Sequence, residues 1–143
     1  MYDINKIKMI ISDVDGVWTD GSIYKGKDNL ELKKFFVSDG AAVAMIRQAG
    51  MKLALISGRY SSATEERAAE LKIEDVYNGT INKIPPYETL KEKYELSDDQ
   101  IAYVGDDIID IPVMEKVAVP IATQNASLPV SYTHLTLPTT PYV

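Results

Sequence analysis

The apolar positions of this chain gather in short runs that end at small or acidic residues, and stretches of helical period separate the runs. Residues 7–11 form the first run, and Ser12, Asp13, Val14, Asp15 and Gly16 follow directly. Such a run, bounded by turn residues, suits a buried strand of a parallel sheet. Asp is a poor strand residue, so Asp13 is expected where strand gives way to loop. Residues 22–25 and 31–37 read as the arms of a hairpin around the turn formers Gly26, Lys27, Asp28 and Asn29. Phe35, Phe36 and Val37 make the second arm more apolar than a free hairpin needs, so it should pack on its own domain or on another subunit.

The alternation continues to the end of the chain. Asp39 near an N-cap opens a helix over the apolar residues 41–46, and Gly50 fits just past its end. Residues 51–56 read as a second buried strand, closing at Ser57, Gly58 and Arg59. Ser61 or Ser62 caps a helix to about Leu71, with Glu65 and Glu66 in the first turn, where negative charge is favoured. A short strand at 75–77 leads to an Asn78–Gly79 turn, and Pro85 and Pro86 open a helix running to Tyr94. Ser97, Asp98 and Asp99 cap a brief turn before a strand at 101–104, which ends at Gly105, Asp106 and Asp107. Asp110 begins or joins the next helix, and residues 117–121 read as the last strand. Strands alternating with helices predict an α/β fold: a three-layer sandwich with a mostly parallel, Rossmann-like sheet, plus a β-hairpin insertion.

At 143 residues the chain is one domain, and its formal charge of −6 argues against nonspecific nucleic-acid binding. With no cysteine, disulfides and thiolate zinc sites are excluded. No segment approaches the roughly 20 apolar residues of a membrane helix, so a soluble cytoplasmic protein without membrane contact is expected. Residues 1–126 are expected to form the folded domain. Lys116 is the last charged residue, and from Ser131 on no helical or strand period is visible. Residues 127–143 are therefore expected to be a disordered or non-native tail. Residues 130–135 resemble the translation of a sequencing-adapter end, which implies that the native C-terminus is missing. His134, the only histidine, receives no catalytic role for that reason.

If both strands point the same way, Asp13, Asp15, Asp106, Asp107 and Asp110 meet at one sheet edge, where open α/β sheets bind ligands. Carboxylates gathered in one cleft repel unless a cation joins them. An all-oxygen donor set favours a hard cation, and Mg²⁺ is the natural choice. Ser57 and Gly58, between a strand and a helix, could offer a hydroxyl and backbone N–H groups to phosphate oxygens. Lys83 could add a positive charge beside the same phosphate.

In this order, and over about residues 7–126, these features resemble the four motifs of the haloacid dehalogenase superfamily of phosphotransferases. The resemblance implies that Asp13 is a nucleophile forming an aspartyl-phosphate and that Asp15 is the general acid/base. It implies Mg²⁺ held by Asp13, the main-chain carbonyl of Asp15, and Asp106, with Asp107 and Asp110 in support. Ser57 and Lys83 would bind the phosphoryl group, with Gly58 and Arg59 as supporting residues. The chemistry agrees: a carboxylate can attack phosphorus, and a second can protonate the leaving alcohol and then activate water.

The hairpin fills the interval from Asp15 to Asp39, and strand–helix units fill that from Ser57 to Asp106, so neither holds a cap domain. The stretches Asp13 to Gly21, Phe35 to Gly40, Ile56 to Arg59 and Tyr103 to Asp107 are similar to the capless 3-deoxy-D-manno-octulosonate 8-phosphate phosphatases of lipopolysaccharide sugar synthesis. That family implies a sugar-phosphate substrate and a homotetramer assembled through the hairpin, with a neighbouring subunit helping to close the site. The alternatives are a nine-carbon acid-sugar 9-phosphate phosphatase and a non-catalytic, phosphatase-like oligomerisation module. Ser57 stands where many members have Thr, and Ala41 and Ala42 where bulkier or glycine residues are common.

Overall fold

The structure, a computed structural model, describes residues 3–133. Its elements in chain order are β1 (Met9–Ser12), β2 (Tyr24–Lys25), β3 (Glu31–Leu32), α1 (Ser38–Gln48), β4 (Lys52–Ser57), α2 (Ser62–Glu70), β5 (Asp75–Asn78), α3 (Ile84–Tyr94), β6 (Ile101–Gly105), α4 (Ile111–Met114), β7 (Val119–Ala122) and α5 (Leu128–Thr133). Five strands make one sheet in the order β5-β4-β1-β6-β7, and every neighbouring pair is parallel. β2 and β3 pair antiparallel, apart from that sheet.

The strands read as continuous apolar runs because both faces of the sheet are covered. Met9, Ile11, Ala54, Ile56, Ile101 and Tyr103 face one layer, packing with Tyr87 and Leu90 of α3, Val113 and Met114 of α4, and Val130 of α5. Leu55 and Val14 face the other, with Val43 of α1, Ala68 of α2 and Ile73. A fully buried side chain of this size is worth roughly 1.5–3 kcal/mol, against about 0–1 kcal/mol for an exposed ion pair. The sheet, not its surface charges, therefore fixes where the loops emerge. With every strand parallel, Asp13, Ser57, Asn78 and Gly105 arrive at one edge, in register Ser12↔Leu55, Ser12↔Val104 and Ser57↔Asn78.

Two local expectations are corrected and one is placed more closely. The hairpin is short: its ladder holds only Tyr24↔Leu32 and Lys25↔Glu31. Residues 33–37 leave it because Lys33 and Phe35 turn inward, Phe35 packing with the α1/α2 layer under the Arg67 guanidinium. Asp39 lies near the N-cap of α1 as expected, in the first turn, where its charge favours the helix dipole, while Val37 holds the cap position itself without a side-chain hydrogen bond. The C-terminal stretch begins with α5, whose Val130 is fully buried, so packed structure reaches past residue 126. His134 lies outside the described residues. Among the described residues no helix is long and apolar enough to cross a membrane.

Candidate active site

Asp13 leaves β1 with its N–H bonded to the Val104 carbonyl, and its side chain is buried. The loop after it is tied from within. Trp18 Nε1 donates to Ser12 Oγ (2.8 Å), Ser12 Oγ donates to the Asp13 carbonyl (2.7 Å), and Thr19 Oγ1 accepts the N–H groups of Gly16 and Gly21. From the far end of the domain, Asn125 Nδ2 donates to the Gly16 carbonyl (3.0 Å).

Lys83 reaches the same point from the turn after β5, which is anchored by the Gly79 and Thr80 N–H groups on the Ser57 carbonyl. Its ammonium is fully enclosed, 2.8 Å from Asp13 Oδ1 and 2.6 Å from Asp110 Oδ1. Asp110 is the hub beneath the site. Its Oδ1 also accepts the Tyr103 hydroxyl (2.6 Å), and its Oδ2 accepts the N–H groups of Asp106 and Asp107 (both 3.1 Å). Burial pushes the Tyr103 phenol far above its ordinary range, which keeps it a donor. Asp107 instead turns outward to cap its own turn, accepting from Ile108 N–H at 2.7 Å.

Carboxylate oxygens of Asp13, Asp106 and Asp110 lie within 4.8 Å of one another. Burial raises the Asp13 carboxyl, against the opposing pull of Lys83. Burial first, and Asp13 beside it second, push Asp106 up to about 8. Asp106 Oδ1 is enclosed with no hydrogen-bond partner. Crowded, desolvated carboxylates with an orphaned oxygen are what a hard cation relieves. Both Asp110 oxygens are already committed to hydrogen bonds, which leaves Asp13 and Asp106 as the carboxylates of this trio that could hold a metal ion.

Asp13, Asp15, Gly58, Arg59, Ile81, Asp106, Asp107 and Ile109 line a cleft of about 340 Å³ at this edge. Ser57 does not line it; its buried hydroxyl donates to the Arg59 carbonyl (3.0 Å). Lys83 lies beneath Asp13 and outside the cleft wall. Arg59 is held by Glu31 of β3 in a two-pronged pair (2.6 and 2.5 Å), which brings the Glu31 carboxyl down to about 2.

Three comparisons bear on this arrangement. Residues 72–132 match the model of the haloacid dehalogenase-like hydrolase family. The chain is 41% identical over 126 residues to the 3-deoxy-D-manno-octulosonate 8-phosphate phosphatase of Escherichia coli, covering 88% of this chain and 67% of that protein. It belongs to the haloacid dehalogenase-like hydrolases, in the 3-deoxy-D-manno-octulosonate 8-phosphate phosphatase family. The Yersinia pestis member of that family superposes with a TM-score of 0.90 at 35% identity, over 93% of this chain and 72% of that one. The Moraxella catarrhalis member, solved in complex with a magnesium ion, a phosphate ion and a KDO molecule, superposes at 0.88 with 30% identity, over 93% and 76%. The chain thus spans about two thirds to three quarters of the length of these relatives.

Three of the four family motifs, those of Asp13, Ser57 and Asp106, were legible because each follows an apolar run. Glu31, Lys33, Tyr103, Thr19 and Asn125 were not. Tyr103 reads as an ordinary core residue, and the others reach the site from surface-like stretches that only the tertiary fold brings in. Gly16 carries a signal that is steric. It adopts φ +87°, and a Cβ there would lie 1.9 Å from Asp106 Oδ2. Gly16→Ala should therefore displace Asp106 and cut metal-dependent activity by roughly tenfold or more, with a strained backbone costing on the order of 1–3 kcal/mol. Activity as a function of Mg²⁺ concentration, with a thermal melt alongside, measures both effects.

Proposed function

We propose that this chain is a Mg²⁺-dependent phosphatase that hydrolyses 3-deoxy-D-manno-octulosonate 8-phosphate through an aspartyl-phosphate on Asp13. The observation that carries this reading is the convergence on Asp13: a carboxylate at a strand end, with Lys83 beneath it and Asp106 beside it, in a chain of this family. Asp13 attacks phosphorus and Asp15 protonates the departing sugar oxygen, then takes a proton from the water that releases phosphate. Lys83 offsets the Asp13 charge from below. Gly58 and Arg59 border the phosphate and sugar side of the cleft, and Ser57 reaches a phosphoryl oxygen by swinging its hydroxyl from the Arg59 carbonyl. Asp13, Asp106 and the Asp15 carbonyl would hold Mg²⁺, which would supply a positive field for the phosphoryl oxygens. Asp107 and Asp110 support that set. A cytoplasmic setting is part of the proposal.

The same reading includes a homotetramer. Ile23, Tyr24, Leu30 and Leu32 leave the outer side of the hairpin apolar and exposed, and a neighbouring copy covering them would also wall the open cleft. The test is phosphate release with Mg²⁺ from the eight-carbon substrate and from a nine-carbon acid-sugar 9-phosphate. A higher kcat/KM on the eight-carbon ester is expected. The reverse order assigns the nine-carbon substrate, and a tetramer with no turnover on either assigns a non-catalytic module.

The carboxylates also set a pH dependence. In the metal-free protein Asp106 keeps its proton to about 8, whereas its ordinary value is 3.8. The folded state then binds more protons than the unfolded chain between those values, so stability falls as pH rises through that window. Mg²⁺ should recover the loss where the carboxylates are ionised. Thermal melts are expected to show a larger Mg²⁺-induced rise in Tm at pH 8 than at pH 5.

A further inference from the structure

Lys33 belongs to none of the four motifs, yet its side chain is fully buried at the site. Its Nζ lies 2.6 Å from Asp15 Oδ1 and 3.3 Å from Thr64 Oγ1, itself a buried hydroxyl on α2. The neighbouring Lys34 is exposed over the Phe36 ring. The fold therefore buries one of two adjacent lysines. Desolvating an ammonium costs several kcal/mol, so a tether for the hairpin would be better served by an exposed pair such as Lys25–Glu31. What the buried ammonium does instead is hold one particular oxygen. Asp15 Oδ1 is enclosed and meets Lys33 as an ion pair outside hydrogen-bond geometry, while the Asp15 side chain as a whole is 26% exposed and lines the cleft. That leaves Oδ2 as the oxygen open to a substrate. Two residues earlier, on the same side of the arm, Glu31 grips Arg59, so the arm meets the cleft at two successive inward positions.

We propose that Lys33 is a positioning residue: it fixes Oδ1 of Asp15 so that Oδ2 faces the leaving-group oxygen. The assignment rests on the phosphatase reading above. In the first step a bond forms from Asp13 to phosphorus and the phosphorus–sugar oxygen bond breaks. The electron pair stays on that oxygen, which takes the proton from Asp15 Oδ2. In the second step water loses a proton to the same oxygen and attacks phosphorus, and the bond to Asp13 breaks.

A leaving group that departs without a proton separates this role from a structural one. The test compares kcat/KM of wild type, Lys33→Met and Lys33→Gln on 3-deoxy-D-manno-octulosonate 8-phosphate and on p-nitrophenyl phosphate, with Mg²⁺. The alkoxide of the sugar ester needs Asp15; the nitrophenolate does not. General-acid catalysis is typically worth about 10²–10⁴-fold, so loss of its alignment should lower the sugar-ester value by roughly 10- to 100-fold and the aryl value by less than about threefold. The ratio within one preparation is independent of the fraction of folded protein. An unchanged ratio, with both values falling together, overturns the assignment and leaves Lys33 a structural tether. A wild type that hydrolyses neither ester removes the phosphatase reading and the assignment with it.

Discussion

Asp13→Asn is expected to lower phosphate release by on the order of 10⁴-fold or more while leaving the fold intact. The amide keeps the shape of the side chain and an oxygen for Lys83, but it is not a nucleophile. Burial and the Asp110 charge both oppose ionisation of Asp13, so removing its charge relieves a cost the native fold carries. The metal-free variant should melt no lower than the wild type. Phosphate release with Mg²⁺, measured beside a thermal melt, separates loss of chemistry from loss of fold. Activity within tenfold of wild type would rule out the covalent role.

Lys83→Met should be the most destabilising single change at the site. The ammonium is the one cation within hydrogen-bond distance of both Asp13 and Asp110 among the described residues, and it is fully enclosed. Its removal leaves two buried carboxylates without a counter-charge. Breaking a buried pair from one side typically costs about 3–5 kcal/mol. For a domain of this size that is a fall in Tm of roughly 6–20 °C. A double-mutant cycle with Asp110→Asn isolates the cause: the double variant should lose less than the two singles summed, by more than about 1 kcal/mol. Strict additivity would show that Lys83 acts through packing alone. Activity should fall with stability, because the Asp13 carboxylate loses the charge that holds it ionised.

How much of this could be read from the chain follows from where each signal lies. Asp13, Ser57 and Asp106 each follow directly on an apolar run, and a parallel sheet carries all such ends to one edge, so their meeting was legible. The hairpin was legible as a turn between two arms, but not its length. Ladder formation past Leu32 competes with the inward pull of Lys33 and Phe35, and that contest depends on α2, far away in sequence. For the same reason the two lysines at 33 and 34 look alike in the sequence and differ completely in the fold. Asp39 was legible as a residue near the N-cap of α1, but not that the cap position itself falls two residues earlier, at Val37, where the chain comes off the hairpin. Asp110 was placed near a helix start, but its role as acceptor for Lys83, Tyr103 and two backbone N–H groups needed the three-dimensional arrangement.

The phosphoryl group is expected to pass through Asp13 on its way to water. Acid-quenched single turnovers with substrate labelled on phosphorus test it most directly. With Mg²⁺ the wild-type chain is expected to retain label at early times, on the peptide that contains Asp13, and Asp13→Asn is expected to retain none. Phosphate release by the wild type with no label above that of Asp13→Asn would contradict the account.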